Sequence, residues 1–467
     1  MINDNIFPSI QFISLILSGL LLFIPSTIFA QNSWQQLFNG ENLDGWTQLG
    51  GEARYYVEDG AIVGEAVPNT PNSFLVTEQV YGDFILEYEV YLDNQMNSGV
   101  QIRSHSDPGY RDGRVHGYQV EIDPSSRAWS GGIYDEARRG WLYPLTANPQ
   151  AGAAFQLGKW NRFRVEAIGN TIHTWVNGVQ CARLVDDMTA EGFIGLQVHS
   201  IGDEALAGAQ IRWRNVRILT EDLARHRRLP DPQLRQISYL KNQLTDWEKR
   251  KGWRLLWDGQ TTDGWRGAKL DHFPKSGWTI DDGVLTVQAT DGGEATGPGD
   301  IITVDLYSDF ELELEFRITE GANSGIKYFV DPDLNKGAGS AIGAEFQILD
   351  DRHHPDAKQG VAGNRTLGSL YDLITAENLS LPDRPKPFNG INKWNKARIV
   401  SRGGQIEHWL NNHKVVEYDR FSQMFVALVA YSKYRRWENF GRWPQGHILL
   451  QDHGDEVSFR SIKIREL

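Results

Sequence analysis

Along most of the chain, apolar and polar residues alternate with a period of two. In FELELEF (310–316), Phe310, Leu312, Leu314 and Phe316 share one face while Glu311, Glu313 and Glu315 share the other, as in a strand with one side in a core. Similar short runs recur between Gly, Asn and Asp turns. TWVNGVQ and HWLNNHK read as hairpins closed at Asn177-Gly178 and Asn411-Asn412. Many short strands and few helical stretches predict an all-β protein built of sandwiches of the jelly-roll kind.

The pattern also repeats over a long interval. LFNGENLDGW (37–46) returns as LWDGQTTDGW (256–265), NSGVQIR (97–103) as NSGIKYF (323–329), and GGIYDEA (131–137) as GSLYDLI (368–374). GKWNRFRVEAIGNTIHTWVNG (158–178) returns as NKWNKARIVSRGGQIEHWLNN (392–412), and LQVHSIGDE (196–204) as LQDHGDE (450–456). A period of this length indicates a duplicated domain rather than a solenoid. A chain of 467 residues also exceeds the roughly 250–300 residues one core sustains. The expected organisation is a first copy over 31–220, a linker over 221–251 and a second copy over 252–467. The linker is charged, carries Pro230 and Pro232 and then spaces Leu and Ile as a helix does, so a helix packed between the copies is expected there.

Composition narrows the function. A formal charge of −13 argues against nucleic acid and anionic membrane surfaces as partners, since both require a basic footprint. Cys181 is the only cysteine, so no disulfide within the chain supports the fold. Phe12–Ile24 is an apolar run followed by Pro25 and a small-residue end at Ala30, which reads as a signal peptide over 1–30 even though MINDN before it lacks Lys and Arg. The run is shorter than the roughly 20 residues a membrane span needs. The expected address is therefore the periplasm or the extracellular space, with no membrane span after signal cleavage.

Strand parity then selects candidate site residues. Gln197 and His199 share a face, as do Gln451 and His453; Gln101 pairs with Arg103, Gln119 with Glu121 and Asp123, and Glu345 with Gln347 beside Lys327. Single charges on a sandwich surface are ordinary. Their recurrence in both copies, next to Trp394, Tyr371, Tyr431 and Tyr434, predicts grooves. Flat aromatic faces beside amides and carboxylates suit a sugar.

NSGIKY, GAEFQILDDRHHPDAK, GSLYDLI, KWNKARIV, IEHWLNNHKVVEY and GHILLQDHGDEVSFRSIKIREL together resemble the 3-keto-disaccharide hydrolase family, with its concanavalin-like jelly roll, in two tandem copies. The resemblance implies a bacterial envelope protein that cleaves glycosides whose sugar a separate sugar 3-dehydrogenase has first oxidised at C3. It carries Lys327, Glu345, Gln347, Asp350, Asp351, His353, Tyr371, His408, Asn411, Gln451 and His453 over to the second copy. The first copy keeps the NSG turn, Glu121, Asp123, Tyr134, Asn177, Gln197 and His199, but has EIDPSSRAWSGG where the second has FQILDDRHHPDAK. It also has Thr174 after His173 where Glu407 precedes His408. Its role stays open between a glycan-binding module and a second site of different specificity.

A C3 ketone acidifies the hydrogen on C2 and permits elimination of the C1 substituent. That route needs a base, an electrophile for the enolate oxygen and an acid for the leaving oxygen. The expected roles are His453 or His408 as base, Lys327 as the cation, and Glu345 as acid or as ligand to a helping cation. Two alternatives remain at this level. An ordinary two-carboxylate glycosidase would use Glu345 with Asp350 or Asp351. DDRHHPD leaves a divalent cation open as cofactor. A purely carbohydrate-binding protein is the reading from a different class, since the fold alone does not fix function.

Overall fold

The two hairpins close as the dipeptides predict. Asn177 and Gly178 adopt φ values of 49° and 87°, and Asn411 and Asn412 values of 45° and 66°, the left-handed pair that a two-residue turn between twisted strands requires. This is a computed structural model, and it describes residues 34–202, 204–290 and 299–467; the expected signal peptide lies outside the described residues. Trp34–Leu467 belong to one unit.

Among the described residues, the first copy forms a nine-stranded and a seven-stranded sheet, the second an eight-stranded and a five-stranded one. The sheets that carry the polar rows have equivalent central strands. In the first copy these are Phe193–Val198, Ser98–His105 and His116–Ile122; in the second, His447–Leu450, Asn323–Asp331 and Ile342–Leu349. Phe310, Leu312, Leu314 and Phe316 enter the second core against Ile326, Phe346 and Ile348. Phe84, Leu86, Tyr88 and Val90 do the same in the first, against Val100, Tyr118 and Val120. Each such side chain contributes about 1.5–3 kcal/mol through burial.

The other face of Phe310–Ile318 departs from the solvent exposure that half-buried strands usually show. Glu311, Glu313 and Glu315 are buried, because the linker covers them. Arg235 of the linker binds Glu311 at 2.5 Å and Glu313 at 2.8 Å. Arg398 and Arg465 also hold Glu311, and Lys396 and Lys463 hold Glu313. Burial pushes the Glu311 carboxyl upward, but these three arginines outweigh it and keep the group ionised.

The linker is less helical than its spacing predicts. Two short helices, Leu223–His226 and Asp246–Arg250, flank an extended stretch whose Ile237–Ser238 pairs in parallel with Val179–Val185. Pro230 and Pro232 break the first helix. A capping box starts the second: Thr245 accepts from the Glu248 amide at 3.1 Å, and Glu248 accepts from the Thr245 amide at 2.8 Å.

Candidate active site in the second copy

The NSG turn opens the central strand Asn323–Asp331, and its glycine sets the geometry of the site. Lys327 lies directly opposite Glu345 in the antiparallel register, and Gly325 lies opposite Gln347. A Cβ on Gly325 would overlap the Glu345 carboxylate, so the missing side chain is the space in which that carboxylate lies. Lys327 Nζ stands 3.7 Å from Glu345 Oε2. It also donates to Ser340 Oγ, which donates to Asp300 Oδ2 at 2.5 Å. Burial raises the Asp300 carboxyl, and Lys327 opposes that shift. Lys327 therefore sits, itself buried, between two buried carboxyl groups.

Lys327, Ser340 and Glu345 line a cavity of about 290 Å³ together with Gln347, Tyr371, Gln451 and His453. The parity argument thus holds for the second copy, where Lys327, Glu345, Gln347, Gln451 and His453 converge as expected. Gln347 donates to Asn323 at 3.1 Å, while its buried Oε1 meets no hydrogen-bond partner among the described residues. Tyr371 donates to Asp356 at 2.8 Å, and Lys433 Nζ lies 4.3 Å from the centre of its ring. Burial, then the bond to Asp356, pushes the Tyr371 hydroxyl up. His453 is half-buried, with its ring centre 6.3 Å from that of His354.

Several expected site residues lie elsewhere. His408 is wholly inside the core, with Nε2 2.8 Å from Tyr328 Oη and Nδ1 2.9 Å from the Gly368 carbonyl. It shares its face with Ile406 and Leu410, so the base expected at His408 is excluded from the cavity, and burial lowers its pKa to about 4. Asn411 is a hairpin residue, bonded to the Lys396 amide, the Pro387 carbonyl and Asn395. Asp350 accepts from the amides of Gly321, Arg352 and His353 and from His353 Nδ1. Asp351 accepts from the Leu367 amide and from Lys386. Asp350, Asp351 and His353 thus brace their own loop and do not line the cavity. Among the described residues no group of three or more His, Cys, Asp or Glu is arranged to hold a metal ion. Trp394 stacks between Arg317 and Arg460, and Tyr431 is exposed; neither aromatic reaches the cavity.

The first copy holds a wider groove of about 1450 Å³ lined by Glu121, Tyr134, Gln197 and His199, as expected. Its chemistry is rearranged. Gln101 and Gln119 occupy the register of Lys327 and Glu345, their carboxamides bonded at 2.7 Å. Gln101 is also held by Ser104 and does not line the groove. The carboxyl has moved to Glu121, at the register of Gln347. Burial, against the opposing pull of Arg127, Asn97 and Gln119, pushes it up to about 7. Arg103 does not share the face of Gln101. It has φ of +46° at a bulge between Ile102 and His105, which turns its guanidinium to the carbonyls of Gly82 and Gly169 and to Asp83. Phe329 occupies the same bulge in the second copy at +52°.

Asp300, Ser340 and Lys433 were not found from the sequence. Asp300 directly precedes the strand Ile301–Thr303, and the first-copy equivalent of its position, counted back from Thr303 and Thr77 in their common register with Trp265 and Trp46, carries Phe74. That apolar-to-acid change between copies is the signal that could have revealed it.

A family model described as a 3-keto-alpha-glucoside-1,2-lyase-like domain matches residues 33–219 and again 252–465, and the chain belongs to that family. A 3-keto-disaccharide hydrolase of Bacteroides thetaiotaomicron is 36% identical over 240 residues, covering 46% of this chain and 79% of the relative. Among solved structures, a candidate glycosyl hydrolase from Parabacteroides distasonis is 28% identical, covers 49% of this chain and 99% of its own, and gives a TM-score of 0.42. The carbohydrate-binding module CBM66 from Bacillus subtilis is 18% identical, covers 37% of this chain and 93% of its own, and gives a TM-score of 0.26.

Proposed function

We propose that the second copy cleaves the glycosidic bond of 3-keto-glycosides by elimination across C1 and C2. The observation that carries this is the Lys327–Glu345 pair, set beside Gln451 and His453 in a cavity of about 290 Å³. That size falls at the lower end of the roughly 300–1,000 Å³ typical of small-molecule sites. The family's 1,2-lyase-like description and the relative's 3-keto-disaccharide hydrolase name support the same substrate class.

In this reading His453 takes the proton from C2 and the electron pair moves toward the C3 oxygen. Lys327 Nζ stabilises the enolate there. The pair then returns to form the C1–C2 double bond as the C1–O bond breaks, and Glu345 gives its proton to the departing oxygen. The products are an alcohol or free sugar and a 2-hydroxy-3-keto-glycal; addition of water across the new double bond completes net hydrolysis. Ser340 and Asp300 orient Lys327, and the Gln347 and Gln451 carboxamides suit ring hydroxyls. The protein acts outside the cytoplasm, consistent with the apolar run Phe12–Ile24, on sugars oxidised by a separate 3-dehydrogenase.

The test is nitrophenol release by the purified protein from 4-nitrophenyl 3-keto-α- and β-glucosides, with the unoxidised glucosides alongside. Release from a keto substrate alone supports the reading. Equal release from the unoxidised glucoside, or none from either keto anomer, contradicts it.

A further inference from the structure

The second copy contributes to the first copy's groove. Leu381 packs against the first core, and Leu381–Arg384 line the groove together with Glu121, Trp141 and Gln197. This loop is braced: Asn378 accepts from the Leu381 amide at 3.0 Å and donates to the Pro385 carbonyl at 3.1 Å, and the Arg384 amide donates to the Leu381 carbonyl at 2.9 Å. The first copy builds most of the groove, and the second copy extends its wall with Leu381, Pro382, Asp383 and Arg384.

Its lining is built for hydroxyl groups. Gln197 is fully buried, yet neither its Oε1 nor its Nε2 finds a hydrogen-bond partner among the described residues. Leaving a buried amide unpaired is costly, and a ligand bearing both donors and acceptors would recover that cost. Trp141 stands edge-on to Trp129 and Tyr134 at 4.7 and 5.2 Å between ring centres, with the Arg127 guanidinium 4.9 Å from its ring. Arg127 also binds Asp123 at 2.7 Å and Glu121 at 3.2 Å, so the aromatic wall is held in place. In the position of the Lys327–Glu345 pair stand two neutral carboxamides bonded to each other, and no ammonium group is offered there to an enolate.

We infer that the groove between the copies is a second, non-cleaving site that binds an oligosaccharide of unoxidised sugars, longer than the second copy's cavity accepts. Its volume of about 1450 Å³ against 290 Å³ accommodates several rings. Trp141 supplies a stacking face, and Gln197, His199 and Glu121 supply the polar contacts. Such a site would hold an extended glycan on the same chain as the second copy's cavity. This inference goes beyond the cleavage proposed above and is tested separately from it.

The experiment is isothermal titration calorimetry of the full mature chain carrying Lys327→Met, which removes the cation of the second cavity. The probes are α- and β-linked tetrasaccharides of glucose, mannose and galactose. Saturable binding of at least one probe is expected, weakened about tenfold or more by Trp141→Ala and by Gln197→Leu. Arg384→Ala, an exposed change in the second copy, is expected to weaken it as well. Thermal unfolding midpoints of the variants serve as the folding control, and Arg384→Ala keeps the test valid if a groove variant fails to fold. Absence of binding to every probe at millimolar concentration overturns the inference, as does binding that Arg384→Ala and the folded groove variants leave unchanged. Failure of the cleavage reading would show instead in nitrophenol release, which this titration does not use.

Discussion

Lys327 Nζ lies 3.7 Å from Glu345 Oε2 across one antiparallel register, and at that same register the first copy pairs Gln101 with Gln119. One copy thus holds an amine and a carboxyl group where the other holds two carboxamides. In the proposed reaction the amine, as its ammonium, faces the enolate, and the carboxyl, in its protonated form, serves the leaving group. Glu345→Gln retains the shape and removes the transferable proton. It is expected to lower kcat on a 3-keto glucoside about 10²–10⁴-fold with KM changed only a few-fold, as read by steady-state kinetics.

Gly325 gives a sharper geometric test. An added methyl would collide with the end of the Glu345 side chain, which can swing aside, so the cost falls on the site more than on the fold. Gly325→Ala is expected to reduce kcat/KM by about tenfold or more while lowering stability by no more than about 1–2 kcal/mol. Kinetics and urea unfolding of the same preparation separate the two effects.

His408 should act on stability alone. Its folded pKa of about 4 lies below the ordinary value of 6.5, because burial disfavours the imidazolium. The unfolded chain therefore binds a proton more readily than the folded one. The stability linked to neutral His408 is present above pH 6.5 and is lost as pH falls toward 4. His173, also lowered to about 4 by burial and neighbouring arginines, adds in the same direction. Unfolding free energy is expected to drop between pH 7 and pH 4.5, by less in His408→Gln than in the wild type, with kcat of the variant near the wild-type value.

Arg235 joins the linker to the second copy through Glu311 and Glu313, while its carbonyl accepts from Tyr143 of the first copy at 2.7 Å. Removing the guanidinium leaves two buried carboxylates with fewer partners, although Arg398, Arg465, Lys396 and Lys463 remain. Arg235→Ala is expected to destabilise the protein by about 2–4 kcal/mol. A shift in the denaturation midpoint measures it.

The duplication, the hairpins and most of the groove residues were legible because a strand's period of two assigns side chains to faces. Glu345, Gln347, Gln451 and His453 follow that rule. His408 does not fit the groove because its own parity, shared with Ile406 and Leu410, points inward. Arg103 escaped because a bulge with positive φ reverses the parity inside one strand, and no local residue pattern announces it. The acidic face of Phe310–Ile318 read as solvent-facing, since its cover comes from a linker distant in sequence. Loop residues such as Asp350 and Asn411 carry polar atoms that their own backbone uses, which a sequence cannot distinguish from atoms offered to a ligand. Ser340 reaches the cavity from a loop and Lys433 from the 3-10 helix Lys433–Arg436, neither of which strand periodicity describes.

The most direct test of the account is the rate of nitrophenol release from 4-nitrophenyl 3-keto-glucoside by Lys327→Met beside the wild type, with matched thermal unfolding midpoints. The account predicts a loss of about 10²–10³-fold on the keto substrate. Release at the wild-type rate by the folded variant would contradict it and move the cleavage to another part of the protein.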